Sequence, residues 1–153
     1  MLTKTIGILS TGLLLGITSM PVLAAPNARP TTLPKNCQYL KEVVTTETHI
    51  RKSINSLIGT NFDTDFAVPA GVRFTSFKGV MIPENTGVYG VTINLKYPDN
   101  SVSTPFRKNV AMNNGQTYSL RFKSSTGRQP FQVNLNINGN NQNTYTIAVI
   151  ACK

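Results

Sequence analysis

The sequence predicts a mainly β fold, an antiparallel two-layer β-sandwich, with one N-terminal helix or helix-like segment. After Asn61, apolar and polar residues alternate with a period of two, which is typical of strands with one buried face. The segments between these runs are short and rich in Pro, Asn and Gly, so consecutive strands turn back as antiparallel neighbours. Because no crossover helix fits between them, a parallel sheet is excluded and two packed sheets are favoured.

Six strands are predicted in this region from the alternation and its flanking turns. They cover about residues 72–82, 88–97, 106–112, 117–123, 131–138 and 144–152. The last strand, ending at Cys152, is apolar on both faces, which predicts a central strand covered on both sides. An immunoglobulin-like arrangement is one candidate, but the chain has no Trp for the Cys-Trp-Cys core of a true immunoglobulin domain.

The segment 40–58 admits two interpretations. Its apolar residues follow a helical period and Gly59 stands where such a helix would end, so an amphipathic helix is the first prediction. The β-branched run 43–48 suits a strand equally well, and a short helix would then begin near Lys52. That strand would place one row of side chains on a single face: Val44, Thr46, Thr48 and Ile50.

Residues 1–24 have the three parts of a secretory signal peptide. Lys4 gives the N-terminal region a positive charge, and residues 6–20 are apolar and uncharged. The sequence Val-Leu-Ala, with small or short side chains, ends at Ala24, where cleavage is predicted. The apolar run is shorter than the roughly 20 residues that a membrane-spanning helix needs. The protein is therefore predicted to be exported, to the periplasm or the extracellular space, without a transmembrane anchor after cleavage.

The remainder is predicted to form one domain behind an extended start. Residues 25–35 contain three prolines and no apolar periodicity, which predicts a flexible lead-in, and residues 36–153 form a single β domain. Cys37 and Cys152 lie near the ends of that domain and are the only cysteines, so an oxidising compartment permits them to pair. Such a disulfide closes nearly the whole domain, for which the loop-entropy model gives roughly 4 to 5 kcal/mol.

The chain is basic, with 15 Lys and Arg against 6 Asp and Glu and a formal net charge of +9. Loss of Lys4 with the signal peptide leaves 14 basic against 6 acidic residues, a charge of +8. Such a charge attracts anionic partners, although it serves the solubility of an exported protein equally well.

The predicted strands 106–112 and 117–123 form a hairpin around the turn 113–115. On one side this hairpin carries apolar residues: Phe106, Val110, Tyr118, Leu120 and Phe122. On the other side it carries a row of candidate binding residues, Arg107, Arg121 and Lys123, which Arg128 in the next loop extends. Like charges facing each other across strands lower the stability of a hairpin by about a few tenths of a kcal/mol. The row therefore needs screening by solvent ions or a bound anion. A solvated sheet face explains the pattern as well.

A second polar surface is predicted on the strand 131–138. Gln132, Asn134 and Asn136 point away from the apolar residues between them, and amides can both donate to and accept from sugar hydroxyls. A sugar-binding site usually also contains an exposed aromatic side chain on which the sugar ring stacks, and the chain has no Trp for this role. A polar outer face is the simpler interpretation.

Residues for catalysis are few, since the chain has one histidine, His49, and six carboxylates. Asp63 or Asp65 with Glu84 would supply the two carboxylates of a glycoside hydrolase. The sequence has no nucleophile elbow, Gly-rich phosphate loop or twelve-residue calcium loop, and one histidine and two cysteines do not make a zinc site. We therefore predict no enzyme, cofactor or metal site, and no nucleic-acid partner because no recognised motif occurs.

Three functional hypotheses follow. The first is an exported, non-catalytic interaction module that binds an anionic glycan, lipid headgroups or an acidic protein through the basic row. The alternative is a structural or accessory subunit of a cell-envelope assembly, which would use strand edges for protein contacts. The third is the hydrolase. The sequence leaves the oligomeric state open.

Overall fold

A computed structural model of the protein describes residues 33–55 and 62–153. Within these ranges the chain forms ten strands and no helix. The strands are β1 (Cys37–Tyr39), β2 (Lys41–Glu42), β3 (Ile50–Ser53), β4 (Asp63–Ala67), β5 (Ser76–Pro83), β6 (Gly87–Lys96), β7 (Val102–Met112), β8 (Tyr118–Phe122), β9 (Gln132–Gly139) and β10 (Thr144–Cys152). The predicted signal peptide and most of the predicted lead-in lie outside the described residues.

The ten strands form two antiparallel sheets of five. In sheet A, β1 and β3 pair with one edge of β10, and β5 and then β8 follow on the other side. In sheet B the order is β2-β4-β9-β6-β7. The predicted mainly β fold with two antiparallel layers is therefore confirmed.

The core lies between the two sheets and is built by alternate residues of their strands. In β5 the burial alternates without a break, and β6 and β9 contribute side chains such as Tyr89, Ile93 and Leu135. Tyr145 of β10 meets Tyr89 edge to face, with ring centroids 6.3 Å apart. Strand alternation thus sorts apolar residues inward and leaves the polar residues on the two outer faces.

Strand β10 is the centre of sheet A and is buried on both faces, as predicted. Its neighbours are β5 on one side and β1 and β3 on the other. Ala148 and Ile150 belong to the outward row of β10, yet each is only 1% exposed. A strand with apolar residues on both faces is stable here because each face is covered.

The predicted disulfide between Cys37 and Cys152 is confirmed. The two residues are direct partners in the antiparallel pairing of β1 with β10, with Cα atoms 4.1 Å apart. Asn36 and Lys153 continue this pairing, because the Lys153 amide donates to the Asn36 carbonyl at 2.9 Å. The two ends of the described domain therefore lie side by side.

The predicted helix is wrong for the described part of residues 40–58, and residues 56–58 lie outside the described range. In this segment the chain passes from sheet A to sheet B and back, so buried side chains occur at irregular intervals. These buried residues, Leu40, Ile50 and Ile54, have a spacing in sequence that resembles the period of a helix. The strand alternative over 43–48 is wrong too, since this stretch is a turn. Lys52, where that alternative began a short helix, lies in β3.

Hydrogen bonds to the buried Glu42 side chain hold this turn in place. Its carboxylate accepts hydrogen bonds from the Val44 amide at 3.0 Å and from the Thr45 amide at 2.6 Å. Although burial alone raises the pKa of Glu42, the hydrogen bonds from Thr45 and Val44 outweigh it and lower the pKa. Thr46 takes a φ of 62°, in the left-handed region, and the turn leaves Val44 exposed.

Candidate functional site

The structure separates the four predicted binding residues into two groups. Arg121 lies on β8 of sheet A, Lys123 follows the end of β8, and Arg128 lies in the loop before β9. Arg107 lies on β7, at the edge of sheet B, where it is paired with Thr92. All four side chains are exposed.

The predicted pairing of the two strands as a hairpin is wrong. β7 pairs with β6 and β8 pairs with β5, so the turn at 113–115 connects the edges of opposite sheets. This turn rests on the β5–β6 turn, because the Gly115 amide donates to the Pro83 carbonyl at 2.8 Å. The apolar side of both strands faces the space between the sheets, as predicted, but their polar sides face outward in different directions. Arg107 therefore does not extend the row formed by Arg121 and Lys123.

Arg121 has a partner that the sequence analysis did not name. Lys78 on β5 is its direct neighbour across sheet A, in the register of the two strands. Both side chains line a pocket of about 240 Å³, which we call the Arg121 pocket, together with Lys153 at the C-terminus. Asn36 and Ser76 add an amide and a hydroxyl to its wall. The alternation within 72–82 placed Lys78 on the outer face and would have identified it, had the pairing of β5 with β8 been known.

Lys123 and Arg128 line a second pocket of about 370 Å³, which we call the Arg128 pocket. Arg73 is the third cation in its wall, and Ser124 and Ser125 provide hydroxyl groups. Neighbouring residues line the two pockets, since Ser76 and Arg121 belong to the first and Thr75 and Lys123 to the second.

Hydrogen bonds fix the loops around the Arg128 pocket. Gln129 connects the loop 69–75 to the loop before β9, because its side chain donates to the Val72 carbonyl at 2.6 Å and accepts from the Phe74 amide at 2.8 Å. Such amide bridges hold two segments together without a charge. The pocket wall is therefore formed by two connected loops.

Arg128 itself is held from two sides. Its guanidinium lies 2.8 Å from the Asp99 carboxylate and 4.8 Å from the centre of the Tyr97 ring. Hydrogen bonds from Ser101, together with Arg128, lower the pKa of Asp99 to about 2. Arg128 remains 47% exposed, so it can meet a ligand while being held in place.

The linings of the two pockets contain six cations, Arg73, Lys78, Arg121, Lys123, Arg128 and Lys153, which we call the basic surface. Among the described residues, no Asp or Glu belongs to either lining. Apart from Arg128, none of the six forms an ion pair within residues 33–55 and 62–153. Five of the six cations of the basic surface are therefore without an ion-pair partner among the described residues.

The amide side chains on β9 have a structural explanation. Gln132, Asn134 and Asn136 face outward, as predicted, but Asn134 is only 3% exposed. Its amide group donates to Asp65 at 2.8 Å and to Asp63 at 3.1 Å, and Asn136 also donates to Asp63 at 3.1 Å. These amides satisfy carboxylates of their own sheet, which leaves fewer of their polar groups for a sugar.

The carboxylates of the hydrolase hypothesis are also engaged in hydrogen bonds. Burial tends to raise the pKa of Asp65, but hydrogen bonds from Asn134 and Lys96 lower it overall. Arg51, with Nε 2.7 Å from the carboxylate, lowers the pKa of Glu84. A general acid of a glycosidase needs a raised pKa, so these two carboxylates do not suit that role.

Within the described ranges, no group of three or more His, Cys, Asp and Glu side chains is arranged to hold a metal ion. His49 packs against Tyr39 with ring centres 4.6 Å apart, and its Nδ1 lies 3.0 Å from the Thr48 hydroxyl. No helix long and apolar enough to cross a membrane occurs in residues 33–55 and 62–153.

No protein-family model matches the sequence, and no curated protein is significantly similar to it. Among solved structures, one mutant of CBM29-2, a family 29 carbohydrate-binding module, is 9% identical and aligns over 78% of each chain with a TM-score of 0.46. A second mutant of that module is 8% identical, with a TM-score of 0.44 over 76% of this chain and 91% of the module. The enzymatically active domain of tailspike protein 4 of bacteriophage CBA120 is 12% identical, with a TM-score of 0.39 over 75% of this chain and 19% of that one. Similarities of this size transfer neither ligand nor activity.

Proposed function

We propose that the protein is a non-catalytic interaction module that binds an acidic polysaccharide through the basic surface. The observation that carries this proposal is the composition of the two neighbouring pockets, whose described linings contain six Lys and Arg side chains and no Asp or Glu side chain. A region with one sign of charge in a concave wall concentrates ions of the opposite sign. An anionic ligand is thus the chemical class that fits.

The pairing of Lys78 with Arg121 supports a bound anion. Like charges directly opposite each other on neighbouring strands are destabilising. An anion between the two side chains would remove this repulsion and add charge-assisted hydrogen bonds from the guanidinium. Binding and relief of repulsion would then act in the same direction.

Two features favour a polysaccharide over a small anion. Arg121 and Lys123, which are exposed and two residues apart, line one pocket each, so one extended polymer can contact both pockets. The hydroxyl groups of Ser76 and Ser125 line the pockets beside the cations. Such groups bind sugar hydroxyls, while the cations bind carboxylates or sulfates along the polymer.

Export remains part of the proposal. The predicted signal peptide at residues 1–24 and a disulfide-tied domain at 36–153 agree with a periplasmic or extracellular protein, where disulfides persist. Acidic polysaccharides are accessible to a protein in those compartments.

A second candidate is a subunit of a cell-envelope assembly, and strand β7 favours it. This eleven-residue strand is the edge of sheet B, so one side of its backbone has no strand partner within the described residues. A strand of another protein can add to such an edge. Lys108 and Pro105 weaken this candidate, because charged and proline residues protect edges against pairing.

The test is binding of the isolated protein to polygalacturonate and to dextran sulfate across a salt series. A site variant carries Lys78→Gln, Arg121→Gln and Lys123→Gln. A control variant loses the same charge at exposed residues of sheet B, by Lys41→Gln, Arg107→Gln and Lys108→Gln. We expect the site variant to bind about tenfold or more weakly and the control to remain near the native protein.

Equal weakening of both variants would show that binding follows net charge alone and would reject the basic surface as a site. Binding to neither polymer would leave vesicles with acidic headgroups and acidic proteins to be tested with the same variants. Concentration-dependent self-association without any polymer would support the assembly candidate instead.

A further inference from the structure

An apolar cavity lies between the two sheets, on the side where β7 and β8 form their edges. Its volume is about 160 Å³, and its wall is almost entirely apolar. Sheet A contributes Gly79, Met81 and Leu120, and sheet B contributes Val91, Phe106 and Val110 among others. None of these residues belongs to the basic surface, so this cavity is a separate feature of the molecule.

The cavity opens toward solvent because the two edge strands do not pair with each other. β8 ends sheet A and β7 ends sheet B, and the turn at 113–115 connects one to the other. Phe106, Val110 and Leu120 are only partly buried, although they pack against the core. A small ligand can therefore enter between these two strands.

Gly79 creates part of the space. A methyl group at this position would meet Ile93 Cδ1 at 3.6 Å and Phe122 Cε1 at 3.7 Å, which are ordinary contacts. A larger residue such as alanine would therefore fit at position 79 without a steric clash. Apolar cavities of about 150 Å³ in other proteins stay dry and bind small hydrocarbons such as benzene.

Lys108 places a positive charge in the same row as the cavity wall. It alternates on β7 with Phe106 and Val110, and its direct partner on β6 is Val91, which lines the cavity. A lysine in the inward row of an edge strand is unusual unless it guards the edge or meets a ligand. Its side chain is exposed and is not part of the cavity wall, and a flexible lysine stem can carry the ammonium group along neighbouring apolar surface.

We propose that the cavity binds the hydrocarbon part of a medium-chain carboxylic acid, with the carboxylate at the Lys108 ammonium group. The alkyl chain fits the apolar wall, and its length is limited by a cavity of benzene-binding size. The charged head stays at the rim, where water and Lys108 stabilise it. This inference goes beyond polysaccharide binding and uses a different part of the molecule.

The experiment titrates the isolated protein with octanoate and with octanol, following methyl resonances of the cavity wall by NMR. Three variants separate the contributions of the chain and the head. We expect Gly79→Ala, which fills space equal to about one methylene, to weaken both ligands about fourfold. We expect Lys108→Gln to weaken octanoate about threefold and to leave octanol unchanged.

Lys41→Gln, which removes a distant charge, should change neither affinity. The site variant of the basic surface should also keep its octanoate affinity, so this test and the polysaccharide test fail independently. Absence of octanoate binding would overturn the proposal, as would octanoate binding that neither Gly79→Ala nor Lys108→Gln alters. If Lys108→Gln only increases aggregation, Lys108 guards the strand edge and the proposed role is wrong.

Discussion

Asp99 shows how single residues prepare the basic surface. Its carboxylate accepts hydrogen bonds from the Ser101 hydroxyl at 2.6 Å and the Ser101 amide at 3.1 Å, and it pairs with Arg128. Arg128 in turn lies over the ring of Tyr97, whose hydroxyl is bonded to Ser124 at 2.8 Å. One loop carboxylate therefore positions a cation of the Arg128 pocket without belonging to the pocket lining.

The titration of Asp99 tests this arrangement. Its pKa of about 2 lies below its ordinary value of 3.8, so its contribution to stability is present above about pH 4 and is lost as the pH falls toward 2. We expect the carboxyl midpoint, measured by NMR, to rise in Ser101→Ala and in Arg128→Gln. Glu84, which Arg51 holds below its usual pKa, serves as an internal control that should not move. An unchanged Asp99 midpoint in Arg128→Gln would mean that Arg128 is not held in this way.

At the residue scale, the alternation of apolar and polar residues predicted which side chains are exposed. It did not predict which exposed side chains lie next to each other on neighbouring strands. Arg107, Arg121 and Lys123 are exposed, as the period of two indicated. Whether two exposed residues lie together depends on which strands pair, and that is decided by packing between distant parts of the chain. For this reason the alternation alone groups Arg107 with Arg121 and does not single out Lys78.

At the scale of elements, the six strands after residue 72 could be predicted because each has a clear pattern and a turn at both ends. Their observed bounds differ from the predicted ones by a few residues. The four short strands before them were not predicted. β4 contains Asp63 and Asp65, residue types that disfavour strands, and it forms because β9 offers partners for both its backbone and its carboxylates.

A polar network on the outer face of sheet B connects β4, β9 and β6. Asn134 joins β9 to β4 through Asp63 and Asp65, and it accepts a hydrogen bond from Asn94 of β6 at 3.1 Å. Removing one member of a largely buried network leaves its partners unsatisfied. We expect Asn134→Ala to lower the free energy of unfolding by about 1 to 3 kcal/mol, measured by urea denaturation.

Asn138→Ala is the matched control on the same strand and the same face, because Asn138 is exposed. It should change stability by no more than about 0.5 kcal/mol. Equal effects of the two substitutions would show that the network contributes nothing specific and that both residues act only through strand propensity.

At the scale of the whole molecule, the described Asp and Glu side chains lie outside the linings of the two pockets, although Asp99 pairs with Arg128 from beside one of them. Asp63 and Asp65 lie on the outer face of sheet B, and Glu84 lies beside Arg51. The two pockets together hold six of the chain's 15 Lys and Arg side chains without an Asp or Glu side chain in their described linings. The composition predicts a positive net charge, while only the fold shows which surfaces carry it.

The two ends of the domain meet, and this determines how the disulfide acts. Cys37 and Cys152 are 115 residues apart in sequence but are direct neighbours across β1 and β10. On the loop-entropy model, a bridge between such distant residues stabilises the fold by about 5 kcal/mol, because it restricts the unfolded chain. The same bridge between residues close in sequence should stabilise it much less.

A circular permutant of residues 36–153 makes this comparison. In this permutant Lys153 is joined to Asn36 by Asn-Gly, a two-residue turn that suits the existing hydrogen bond between these residues. The new chain ends are made between Asn140 and Asn141, which are exposed. The disulfide then closes a loop of about six residues and contributes about 2 kcal/mol on the same model. We expect replacement of both cysteines by Ala to cost about 5 kcal/mol in the native order and about 2 kcal/mol in the permutant, measured by guanidinium unfolding. Equal losses in the two chains would show that the bridge acts on the folded state and not through closure of the unfolded chain.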